Sequence, residues 1–187
     1  MTAEAASMSL VRFATAQAVF EAFPELSQKV SAKPNEEFPI RYLKSLVATG
    51  KDEDAVTFCA YLLPRREAVW WGCESARTLL GDQSRSDTAE LMAAEAWVRE
   101  PTEENRRVAL DIGTKAASNE PQTWLALAAG WSSGTLASTP FPVPAHMTAR
   151  AVYVALLICS RIVSVSERPK RLQICIAEGI RLAETGA

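Results

Sequence analysis

Leu62–Arg77, LLPRREAVWWGCESAR, is the stretch whose reading decides the fold. Pro64 stands where a helix can begin, because proline is tolerated in a first helical turn and not in a helix interior. Val69, Cys73, Ala76 and Leu80 then recur as one apolar stripe, and Arg66, Trp70, Glu74 and Arg77 form a mixed stripe beside it. Adjacent tryptophans cannot both face a core centre, so one of Trp70 and Trp71 is expected on the rim. The stretch predicts a central helix, closed by the polar run Gly81–Ser86.

Working back from it, Asp52 is an expected N-cap and, with Glu53 and Asp54, complements the positive end of a helix reaching Leu63. Ile40, Leu43, Leu46 and Val47 line one face of a shorter helix that Gly50 can terminate. Thr15 to about Phe23 predicts the first helix, stopped by Pro24. Residues 1–13 have no period and read as a loose N-terminal arm, with Val11 and Phe13 able to touch the body. Residues 14–187 read as a single helical domain.

Working forward, the helix from about Asp87 to Arg99 places Glu95 between Leu91 and Val98 on its apolar face. A buried carboxylate has to be neutral or paired, and the expected partners are Arg106 and Arg107, or Arg65 and Arg66 from the central helix. Thr102 predicts another N-cap, followed by acidic Glu103 and Glu104. Trp124, Leu127, Ala128 and Trp131 share one side of the next helix and read as core. Ser132–His146 carries three prolines and no period, so it is the longest irregular connection, expected to be fastened by Leu136, Phe141 and Val143. Two further helices follow, from Thr148 to about Val163 and from Arg168 to Ala183. No run alternates as a strand would. The fold class is therefore all-α: one bundle of about eight or nine helices with short connections and one long Pro-rich loop.

Composition limits the function. The chain has 187 residues, 48% of them hydrophobic, and 20 basic against 22 acidic side chains give a net charge of −2. No overall field is available to gather nucleic acid, and no apolar run approaches the roughly 20 residues of a membrane span. The start of the chain lacks the pattern of a secretory signal, which leads to an expected cytoplasmic location. Cys59, Cys73, Cys159 and Cys175 are far apart and His146 is the single histidine, so no zinc-type cluster or familiar nucleophile–base pairing is written here. The expectation is a protein without cofactor or metal, and not an enzyme.

The candidate contact surfaces are the Arg66, Trp70, Glu74 and Arg77 face and the loop residues Leu136, Phe141 and His146. Arginine beside tryptophan suits the gripping of a peptide or a carboxylate; the alternative is ordinary packing and salt bridging. His146 with Arg150 could hold an anion at the start of the helix near Thr148, or be an exposed loop histidine. Glu95 could be an acid in a cleft or half of a structural ion pair.

Leu63–Trp71 (LPRREAVWW), Ala93–Arg107 (AAEAWVREPTEENRR) and Pro142–Val152 (PVPAHMTARAV) resemble an uncharacterised bacterial family of small helical proteins loosely associated with type VI secretion genes. The resemblance covers roughly the last two-thirds of the chain and carries no catalytic residues. It implies an accessory protein, a chaperone or adaptor whose partner is an effector, toxin or spike component. An immunity protein neutralising a co-encoded toxin, and a small enzyme or ligand-binding domain with a pocket at Glu95, remain the alternative readings.

Overall fold

The computed structural model describes residues 9–81, 88–117, 119–135 and 140–186. Nine α-helices occur among them: α1 (Ala16–Ala22), α2 (Pro39–Ala48), α3 (Asp52–Leu62), α4 (Arg65–Leu80), α5 (Ala89–Arg99), α6 (Glu103–Lys115), α7 (Pro121–Gly130), α8 (Met147–Ile162) and α9 (Arg168–Thr185). A short 3₁₀ turn, Pro24–Gln28, follows α1. The all-α expectation holds, and the helix ends show why. Thr15 and Thr102 cap α1 and α6 by accepting from Ala18 N at 3.1 Å and Asn105 N at 3.2 Å. Gly50 and Gly81 adopt left-handed φ of 71° and 66° just beyond α2 and α4. Asp52 is not a cap: Lys51 occupies that position and Asp52 is the first helical residue, where its charge still favours the helix dipole. Of the polar run expected after α4, residues 82–87 lie outside the described residues.

Helix α4 packs against α3, α5, α7, α8 and α9, so the quoted stretch is the hub of the bundle. Its buried side reaches beyond the predicted stripe: Ala68, Val69, Trp71, Cys73, Ala76 and Leu79 are all buried. Small residues bring the backbones together. A Cβ on Gly72 would sit 2.8 Å from Leu125 Cδ2 on α7, and one on Gly130 would sit 2.7 Å from Leu110 Cα on α6. Both distances are shorter than packed side chains allow.

Helix α7 corrects one expectation. Leu125, Ala126, Ala128 and Ala129 are buried, whereas Trp124 and Trp131 are half-buried and meet edge to face at 6.5 Å. A helix held between α5, α6 and α8 buries several of its faces, so the bulkiest stripe need not be the deepest. At the N-terminal side, residues 9–13 are tied to α9 through Leu10 N and Ser9 Oγ, which both donate to Ala183 O. Phe13 packs edge to face on Phe23 at 6.2 Å.

Candidate functional site

The two tryptophans of α4 part company. Trp71 is 1% exposed and its Nε1 donates to Cys175 O on α9 at 2.8 Å. Trp70 is half-buried and walls a groove of about 330 Å³ with Arg66, Val98, Arg99 and Leu182. Arg66 is exposed, yet its Nε donates to Val98 O in the last turn of α5 at 2.8 Å. Arg65 donates to Ser132 O just past α7. Carbonyls at helix C-termini lack intrahelical partners, and arginine side chains satisfy them. Such bonds hold the guanidinium in place without cancelling its charge.

Glu95 is paired, but not with any of the four expected arginines. Arg77 Nε reaches Glu95 Oε1 at 2.7 Å and Nη2 reaches Oε2 at 3.1 Å, a two-pronged contact on a carboxylate 17% exposed. The reason is the hairpin: α4 and α5 pack on each other, which carries the last turns of α4 alongside Glu95. Arg65 and Arg66, at the first turn of α4, cap α7 and α5 instead. Arg106 and Arg107 both turn to Glu103. Arg106 is buried, binds both oxygens of Glu103 at 2.6 and 2.7 Å, and donates to Gly130 O at 2.6 Å. Hydrogen bonds from Arg106 and Arg107 hold the Glu103 carboxyl down at about 2. With Arg77 on both its oxygens, Glu95 is half of an ion pair that joins α4 to α5.

The remaining predicted residues scatter. Glu74 is exposed on α4 and Arg77 is taken up by Glu95, so neither joins Trp70 in the groove. Phe141 is 67% exposed, and Val143 rather than Phe141 fastens the loop, being buried and donating its N–H to Gly134 O at 3.0 Å. Leu136 lies outside the described residues. His146 occupies the N-cap position of α8 without a side-chain cap bond; its side chain is one-third exposed and its Nδ1 stands 3.6 Å from Glu25 Oε1. Glu25 also faces the buried Tyr61 hydroxyl without closing a hydrogen bond of normal geometry, and burial, then Glu25, push that phenol up.

Sequence reasoning missed a second depression, of about 410 Å³, walled by Phe13, Phe23, Tyr61, Arg12 and Arg65. Phe23 meets Tyr61 edge to face at 5.2 Å and Arg12 stands over Phe13 at 5.9 Å. The arm has no period, so its apolar residues carried no helical signal; the paired Phe13 and Phe23, flanking α1, were the one clue. A third depression, of about 210 Å³, lies between the two and includes Arg65, Arg66, Trp97, Arg106 and Ser132. All four cysteines are free and buried. Burial pushes the thiol of Cys159 up to about 12 and that of Cys73 higher still.

Fold and site together define an all-α bundle with an arginine- and tryptophan-lined groove at the start of its central helix. No helix among the described residues is long and apolar enough to cross a membrane. The chain belongs to DUF6931, a family of unknown function, whose model matches residues 42–183. No curated protein and no solved structure matches it.

Proposed function

We propose that the chain is a non-enzymatic protein-interaction module whose contact surface is the groove at Trp70. The observation that carries this reading is Trp70 itself. A large aromatic is held only partly buried beside Arg66 and Arg99, while its neighbour Trp71 is sealed in the core. Tryptophan and arginine around a depression are the side chains that most often anchor a partner, since each contributes much contact area or many hydrogen bonds for little lost freedom. Within this reading the module serves in the cytoplasm as a chaperone or adaptor for a secreted bacterial effector, as the resemblance of Leu63–Trp71 and Ala93–Arg107 implies. The test is co-purification from the native host with wild type, Trp70→Ala and Arg66→Ala. One partner identified by mass spectrometry should be present with the first and depleted with the variants. An identical set of proteins on folded variants sinks the surface.

A further inference from the structure

The groove at Trp70 is one end of a longer feature. It shares Arg66 with the central depression, and that depression shares Arg65 with the aromatic one. The three therefore form a belt around the first turn of α4, where that helix presents its positive end. Arg12, Arg65, Arg66 and Arg99 line it, and none of the four pairs with a carboxylate among the described residues. Arg65 and Arg66 donate to main-chain carbonyls, which fixes them and leaves their charge unspent. Glu67 is the acid facing them at one end, and Glu103 in the middle is occupied by Arg106 and Arg107. A locally cationic belt on a chain of net charge −2 is a concentrated feature, not the overflow of a basic protein. Its two ends offer apolar walls: Trp70 with Val98 and Leu182, and Phe13 with Phe23 and Tyr61.

We infer that this belt binds an extended acidic segment of a partner protein, its carboxylates on the arginines and an apolar side chain at each end. The inference rests on the protein-interaction reading and adds the chemistry of the partner. Charge complementarity favours carboxylates, and the paired apolar ends favour a polypeptide, whose side chains alternate in character. A nucleic acid would need positive charge along its whole path, which the net negative charge of the chain opposes.

The experiment uses the full chain and three labelled probes in fluorescence anisotropy. They are a glutamate-rich peptide with a phenylalanine near each end, the same peptide with lysine for glutamate, and single-stranded oligothymidylate. The acidic peptide should bind saturably and weaken as salt rises. Arg65→Glu with Arg66→Glu should reduce its affinity by at least roughly tenfold, about 1.4 kcal/mol. Trp70→Ala and Phe13→Ala should each weaken it at unchanged salt dependence. Because Arg65 and Arg66 also cap helices, Arg99→Gln is the second variant: it removes the charge of an exposed side chain in the last turn of α5 without placing a carboxylate at that helix's negative end, and it should weaken binding with little change in melting temperature. Absence of acidic-peptide binding, equal binding of the lysine peptide, or tighter binding of oligothymidylate overturns the inference. A partner still lost on Trp70→Ala would then leave the interaction reading standing alone.

Discussion

Trp70 and Trp71 are neighbours on one helix with opposite fates. Trp71 is closed in by α9, donates its one polar hydrogen to Cys175 O and touches the space that Gly179 leaves open. Trp70 faces a groove whose other walls are arginines and a few apolar residues. The inward side of α4 is thus held by shape and buried hydrogen bonds to α9, the outward side by ion pairs and helix-capping arginines. The two sides should fail differently: the inner one through lost packing, insensitive to salt, and the outer one through lost charge, sensitive to it.

The largest effect is expected at the inner side. Trp71→Ala removes the biggest fully buried side chain and takes the indole donor from Cys175 O, and should cost about 3–5 kcal/mol by urea denaturation. Gly179→Ala attacks the same contact from α9. Its Cβ would stand 2.6 Å from Cys59 Sγ and 2.9 Å from Trp71 Nε1, where nothing flexible can yield. Overpacking of this kind costs about 1–3 kcal/mol. Adding Cys59→Ala should recover part of the loss, and a double variant no more stable than Gly179→Ala alone would show that the sulfur is not the obstacle.

Next in size is the Arg77–Glu95 pair, which sits between the two sides. Arg77→Met strands a carboxylate that is 17% exposed and should cost about 1–3 kcal/mol. Arg77→Met with Glu95→Met should recover most of that loss, because two apolar side chains need no compensation in a partly closed site. If the double variant is as unstable as the single one, the pair sets the packing of α4 on α5 rather than merely neutralising a buried acid.

Trp70→Ala comes third and tests the contrast most directly. A partly buried tryptophan with no hydrogen bond from its ring nitrogen among the described residues should cost about 1–2 kcal/mol in stability, while removing the groove wall that the proposed partner needs. A loss as large as that of Trp71→Ala would make Trp70 a core residue and empty the interaction reading.

How far the sequence revealed these two sides follows from which interactions are local. Thr102 three residues before Asn105, and Pro64 just ahead of Arg65, specify helix ends within one turn, and the structure places the boundaries there. The expectation that one tryptophan would reach the rim was legible too, because it depends on helical geometry alone. Which tryptophan was not legible, since that is set by α9, which meets α4 from about a hundred residues further along the chain. Glu95 shows the same divide. Its need for a cation followed from Leu91 and Val98 on either side, but choosing among arginines required knowing how α4 lies on α5. The aromatic depression at Phe13 was invisible for a stronger reason: it joins an aperiodic arm to α3 and the start of α8, and no periodicity links those segments.

The smallest expected effect belongs to the outer side and reads its charges by pH. Hydrogen bonds from Arg106 and Arg107 lower the Glu103 carboxyl from its ordinary value near 4.5 to about 2. Between those values the unfolded chain holds a proton that the folded chain does not. The contribution of Glu103 to stability is therefore complete above pH 4.5 and is lost as pH falls towards 2. Its side chain is 52% exposed, so solvent screens the interaction and the effect is modest. Glu103→Gln should flatten the acid limb of the stability curve over that interval, and added salt should flatten the wild-type limb in the same direction. Trp71→Ala should shift the whole curve down without changing the slope of that limb. A wild-type acid limb unaffected by Glu103→Gln would mean that the bonds from Arg106 to Gly130 O and from Arg65 to Ser132 O hold this side of the bundle, with the carboxylate adding little.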